Sequence, residues 1–218
     1  NTYETSIELY YKNMRNQIEY REGYTPSLAD PEIEFVFGKG WSYGAEFFVN
    51  KTKGKFNGWV GYTLSWTWRK FPQLNDGIKY PAKFDRRHDL SAVANYEINK
   101  KWRLGAVFVY GTGNATTLPE RFYLVSGALT QEYSAINQYR LPSYHRFDLS
   151  ATYTPVPKKA KRLQNYWVFS IYNVYSRQNP YFIYFDYDGT PLSGTLEVEA
   201  RQVSLFPILP SVTWNFKF

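Results

Sequence analysis

Only two histidines, His88 and His145, stand among the 218 residues, and there is no cysteine. A thiolate nucleophile, a disulfide and a Cys-ligated metal are therefore excluded. Neither histidine has a second His or Cys at ligand spacing, so no metal is expected. Ser143, two residues before His145, raises the idea of hydrolase chemistry, but no carboxylate or oxyanion arrangement accompanies it. Gly38-Lys39-Gly40 and Gly111-Thr112-Gly113 lack the strand-to-helix context of a phosphate-binding loop. These residues point to no enzyme and to no cofactor.

What the chain offers instead is aromatic surface and ordered charge. It carries 21 Tyr, 16 Phe and 7 Trp, a fifth of all residues. Phe122, Tyr123, Tyr133, Tyr139, Tyr181, Tyr184 and Tyr187 fall in or beside long connections. Their rings offer flat stacking surfaces and hydroxyls for hydrogen bonds, which makes them the candidate ligand-binding residues. Arg87 and Asp89, then Arg146 and Asp148, repeat as Arg-x-Asp-Leu-Ser-Ala, each at the start of a strand. Residues two apart share a face, so each Arg and Asp is placed to pair there, and Glu46 joins them as a candidate lumen-lining group.

The elements that must position these residues are strands. Period-two alternation runs through Gly58–Arg69, Arg87–Ile98, Trp102–Gly111, His145–Thr154 and Ser211–Phe218. Eight strands are expected near 2–13, 34–50, 56–71, 85–98, 102–111, 144–154, 165–184 and 196–218; the phase of the seventh stays open because both its faces are apolar. By parity both histidines lie on the apolar face, and Trp59 falls on the polar one. The connections at 51–55, 99–101 and 155–164 are the shorter ones, whereas those near 14–33, 72–84, 112–143 and 185–195 are mostly long. In an antiparallel meander this puts tight turns at one end and long loops at the other. The short connections gather Lys51, Lys53, Lys55, Lys100, Lys101, Arg103, Lys158, Lys159, Lys161 and Arg162, so much of the net charge of +7 sits at one rim. Spaced in alternate turns, these cations read as a rim and not as a nucleic-acid surface.

No run approaches 18 apolar residues, so no transmembrane helix is expected, and the mean hydropathy is −0.51. A soluble sandwich would also alternate. Two features favour a membrane barrel: Trp and Tyr concentrate towards strand ends, as in interfacial girdles, and the opposite faces are rich in Gly, Ser, Thr and charge, as in a polar lumen. Strands cross hydrocarbon only in a closed barrel, and a small-residued interior suits a barrel with more than eight strands. Asn1 leads straight into alternation, so a segment of a longer polypeptide is expected.

Several stretches, in order, resemble the C-terminal barrel region of TonB-dependent outer-membrane receptors. They are Gly38–Glu46, Gly58–Ser65, Tyr80–Leu90, Leu141–Ser150, Ile171–Pro180 and the closing Pro210–Phe218. The resemblance covers essentially residues 1–218. It implies an all-β fold, the eight C-terminal strands of a 22-stranded transmembrane antiparallel β-barrel, with the plug domain and the N-terminal strands outside this chain. It implies outer-membrane transport of a scarce ligand (a siderophore, vitamin-like compound, peptide or glycan) in a Gram-negative bacterium. The implied partners are outer-membrane lipid, the remaining strands and plug, the TonB complex and, as a candidate, an extracellular lipoprotein over the loops. Trp214, Phe216 and Phe218 correspond to the terminal signal for barrel assembly.

Two other readings compete: a self-contained eight-stranded barrel with an adhesive or structural role, and a soluble aromatic-rich carbohydrate binder. The phase assigned to the last strand is open to test. Trp214→Lys puts a charge on the expected lipid face, at roughly 2–4 kcal/mol for a midplane position and less near an interface. Outer-membrane levels of the full-length variant should fall, as they should on deletion of Phe218; unchanged levels for Trp214→Lys count against the phase.

Overall fold

The alternating segments all become antiparallel strands. The computed structural model describes residues 2–21, 31–126, 128–155, 164–189 and 193–217. In chain order the strands are β1 (Tyr3–Tyr20), β2 (Phe35–Lys51), β3 (Phe56–Lys70), β4 (Tyr80–Pro81), β5 (His88–Glu97), β6 (Trp102–Gly111), β7 (Ala115–Thr116) and β8 (Pro119–Val125). They continue as β9 (Ala128–Tyr133), β10 (Tyr139–Arg140), β11 (Tyr144–Tyr153), β12 (Gln164–Tyr172), β13 (Pro180–Asp188), β14 (Glu197–Ser204) and β15 (Leu209–Lys217). Two short 3-10 turns, Pro31–Glu34 and Asn75–Gly77, punctuate the loops.

One sheet runs β1-β2-β3-β5-β6-β11-β12-β15, with β4 attached to β3. Three two-stranded sheets stand apart from it: the hairpins β8–β9 and β13–β14, and the pair β7–β10 at the base of β8–β9. β1 pairs with β2 and β15 with β12, and each leaves its other edge open. Among the described residues there is no closed barrel.

Several sequence expectations change. The seventh segment is two strands: β12 ends at Tyr172, and the chain turns at Asn173 (φ 54°) before β13 begins. The eighth likewise divides into β14 and β15, with Phe206 (φ 53°) between them. An αL residue ends regular pairing, and Asn tolerates that conformation better than most. β1 runs on to Tyr20 across an irregularity between Met14 and Gln17, so Arg15 and Glu19 lie in a strand and not in a loop. The long connection at 112–143 contains the β8–β9 hairpin. Lys158, Lys159, Lys161, Arg162 and Phe218 lie outside the described residues.

Register carries each face continuously across the sheet. On one face Thr5, Val49, Val60, Ala92, Phe108 and Phe147 form a row of partners. On the other face Glu8, Glu46, Thr63, Asp89, Gly111 and Tyr144 do the same. The open phase of the seventh segment is resolved: Trp167, Phe169 and Ile171 lie on the apolar face with Trp214, Val212 and Pro210. That apolar face is uncovered along its length, with Ile7 at 72% and Val212 at 61% exposure.

Among the described residues, burial is confined to the long-loop end. Val36, Phe71, Leu74 and Tyr80 pack there, with Ile136 against them. Gly38 makes this possible, because a β-carbon there would lie 2.5 Å from the Phe71 ring. Ile136 N donates to Asn75 Oδ1 (3.1 Å), and Asn137 Nδ2 donates to the Pro81 carbonyl (2.9 Å), tying two loops together. Truncating Phe71 to Ala should cost about 3–5 kcal/mol of this packing. The expected readout is faster proteolysis at 72–79 and 134–138, with hydrogen-exchange protection of β5, β6 and β11 retained.

Candidate functional site

Two buried polar nodes organise the loop end. Asp85, 1% exposed, accepts the Thr67 backbone N–H (2.6 Å) and shares its other oxygen between Arg87 (3.5 Å) and Arg140. Arg140 also donates to the Asp85 and Gly113 carbonyls, so β10 is tied to the segment leading into β5 and to the one leaving β6. The Arg87 guanidinium lies 4.3 Å from the Trp66 ring centre and donates to the Ser65 carbonyl (3.0 Å). Burial lowers the Arg87 pKa from its ordinary value while Asp85 acts to raise it, and the group stays charged. Asp89 pairs with Arg86 (2.9 Å) and not with Arg87, because Arg87 is turned towards Asp85 before the strand begins.

The second node is Asn173, also 1% exposed. Its side-chain amide donates to the carbonyls of Arg177 (2.9 Å) and Phe206 (3.1 Å) and accepts the Arg177 N–H (3.1 Å). Its backbone N–H goes to Asp148 Oδ1 (2.8 Å). Asp148 pairs with Arg146 (2.9 Å), which donates to the hydroxyls of Tyr144 (2.8 Å) and Tyr172 (2.6 Å) and stacks 4.0 Å from the Tyr172 ring. Asn179 completes the set: its amide both accepts from the His145 N–H and donates to the His145 carbonyl, each at 2.9 Å.

Each histidine meets a tyrosine hydroxyl. His88 Nδ1 meets the Tyr62 hydroxyl at 2.7 Å, and His145 Nδ1 meets the Tyr175 hydroxyl at 2.8 Å. Burial raises the Tyr175 hydroxyl above its usual pKa, with Arg177 opposing. No cluster of three metal-ligating side chains occurs among the described residues.

Of the loop aromatics, three come together. The Phe122 ring contacts Phe185 (5.5 Å) and Tyr187 (5.9 Å) across the β8–β9 and β13–β14 hairpins. Gln131 links them further, donating to the Tyr187 hydroxyl and accepting from Tyr133 (2.7 Å). Tyr133 also lines a cleft of about 550 Å³ with Asn75, Asp76, Thr117, Ser134 and Ile136. That volume and mixed lining suit a small polar ligand. Tyr181 and Tyr184 form a separate strip around Phe182, while Tyr123 and Tyr139 stand outside both groups. On the same hairpin Arg201 bridges Asp186 and Glu199, each at 3.2 Å, and Asp186 foremost raises its pKa.

Glu46 sits on the polar face directly opposite Glu8 and Thr63. Facing carboxylates are unfavourable in isolation. Trp214 stacks on Trp167 (5.9 Å) and touches Phe216 (4.7 Å) on the apolar face. At the short-turn end these join Trp102, Tyr153 and Phe169, and near the loop end Tyr11, Tyr43 and Trp66 stack in a second aromatic row.

Comparison of the chain with protein-family models, curated proteins and solved structures finds no match.

Asp85, Arg140, Asn173 and Asn179 were not candidates on sequence, because their role depends on burial and on partners up to 55 residues away. The Asp85 node sets a clear expectation. Asp85→Ala leaves two cations without their shared carboxylate and should cost about 3–5 kcal/mol, read as proteolytic release of 112–143. Asp89→Ala, removing an exposed pair, should cost under about 1 kcal/mol by the same assay.

Proposed function

We propose that the chain is eight strands of the wall of a transmembrane antiparallel β-barrel of the TonB-dependent receptor type, in the outer membrane of a Gram-negative bacterium. On this reading the whole protein imports a scarce nutrient ligand. The observation that carries it is the apolar face, exposed across eight strands and bounded near each end by aromatic rows. From His145 to Tyr153 is eight residues along β11, or about 27 Å at roughly 3.4 Å per residue. With a strand tilt of 35–45° that spans about 19–22 Å along the barrel axis, most of an apolar band of about 25 Å.

The other features fit the same role. The polar face turns Glu46, Asp89, Arg146 and Asp148 towards a lumen, where a plug would meet them. The open edges of β1 and β15 call for further strands, because unpaired backbone groups are not tolerated in hydrocarbon. The cleft beside Tyr133 and the joined hairpins would face outside, where a ligand is first met. The role of this chain's residues is to hold the wall rigid through the Asp85 and Asn173 nodes and to present the loop surface. Energy for release would come through parts outside this chain.

Brominated acyl chains test the membrane assignment. In the full-length protein reconstituted in brominated lipid, fluorescence of Trp102, Trp167 and Trp214 should be strongly quenched; unquenched emission overturns it. The gene segment preceding Asn1 tests transport: a plug domain is expected, and a signal peptide directly before Asn1 would replace this reading with a self-contained barrel.

A further inference from the structure

Small residues notch the apolar face near the short turns. Ala94 and Ala106 are register partners, and Ala151 lies opposite Leu104 on the next strand. With Leu104, Leu149, Phe169 and Val212 standing around them, they form an apolar groove of about 670 Å³. Val60, Ala92, Phe108 and Phe147 line a second groove of about 360 Å³. Phe56, Ala94 and Ala106 belong to both, so the two grooves are joined. Both volumes lie in the range of specific ligand sites.

The turns beside the grooves are cationic. Lys51 lines the second groove, and its ammonium group lies 2.9 Å from the Phe56 carbonyl and 5.4 Å from the Phe56 ring centre. Lys53 and Lys55 follow in the same turn. Because β3 pairs with β5, the next short turn brings Lys100, Lys101 and Arg103 to the same end. Among the described residues none of these six cations makes an ion pair. The acids at that end are Glu4, which accepts from Asn50 (3.0 Å), and Glu97, opposite Arg103 in register. The excess of positive charge is therefore unneutralised beside an apolar floor.

We infer that the joined grooves hold the two acyl chains of one glycerophospholipid, whose anionic headgroup rests on Lys51, Lys53, Lys55, Lys100 and Lys101. Two joined apolar grooves beside one group of cations match two chains meeting at one phosphate-bearing headgroup. An uncharged apolar partner would leave the lysines unused. Basic residues at a membrane boundary select anionic lipid in this way. The inference rests on the apolar face being lipid-facing, and it adds a fixed site of defined headgroup charge to that face.

The full-length protein in nanodiscs of equal phosphatidylglycerol and phosphatidylethanolamine, transferred to detergent, reports retained lipid by native mass spectrometry. Phosphatidylglycerol should be retained preferentially. Lys51→Gln with Lys55→Gln and Lys101→Gln should lower that retention by about tenfold or more. Ala94→Leu with Ala106→Leu should lower it with the charges intact. Equal retention of the two lipids, or retention unchanged in both variants, overturns the site. Because the lysine variant alters exposed turns, it keeps the test open if the groove-filling variant fails to fold. Quenching by brominated lipid separates the two ideas: quenching without selective retention overturns the site alone, and no quenching overturns the lipid-facing reading beneath it.

Discussion

Each strand of the main sheet sends successive side chains to opposite faces, and hydrogen bonding fixes which residue of the next strand lies alongside. A slip of one residue would exchange the faces along a whole strand. The sheet therefore depends on unbroken register: Val49, Val60, Ala92, Phe108 and Phe147 share one face only because four successive pairings agree. The apolar face, the polar face and the positions of the aromatic rows all follow from that agreement. Among the described residues nothing packs over the apolar face to enforce it, so the pairing itself carries the register.

Polar side chains do at the loop end what apolar packing does in an ordinary domain. Asp85 collects a backbone N–H and two guanidinium groups, and Asn173 gathers two carbonyls and an N–H. A buried polar group is tolerated only when its partners are supplied, and here the partners come from separate loops. The small Val36, Phe71, Leu74 and Tyr80 cluster adds apolar weight at the same end. The loop layer is thereby fixed to the strands, and the Tyr133 cleft and the facing hairpins have a defined place on it.

Much of the sheet was legible in the sequence, because period two is a local signal that Gly58–Arg69 or Arg87–Glu97 displays unaided. The division of the seventh and eighth segments was not. Tyr166–Tyr175 is apolar on both faces, which hides the end of β12. The polar run Ser176-Arg177-Gln178-Asn179-Pro180 marks a turn nearby, but the break at Asn173 itself is dictated by contacts with Asp148, Arg177 and Phe206. The charged repeats were legible in part: Arg146 pairs with Asp148 within its own strand, whereas Arg87 is drawn away from Asp89 by an aspartate lying just before the strand. Of the loop aromatics, Phe122, Tyr133 and Tyr187 meet because two hairpins face one another, and the meeting of hairpins is a property of the fold.

The neck at Asn173 also bears on how this surface can vary. One side-chain amide joins the point where the chain leaves the sheet to Phe206, where it returns, and Ile208 N–H donates to the Ser176 hydroxyl beside it (3.3 Å). Asn179 adds a substitute peptide group against His145, made without any strand at that position. The excursion from Pro180 to Ser204 is consequently clamped at its base and touched again at Phe185 and Tyr187 by Phe122 and Gln131 of the β8–β9 hairpin. Described residues of β13 and β14 that touch neither anchor can be exchanged while β12 and β15 keep their alignment, so the surface of this hairpin can vary independently of the framework that carries it.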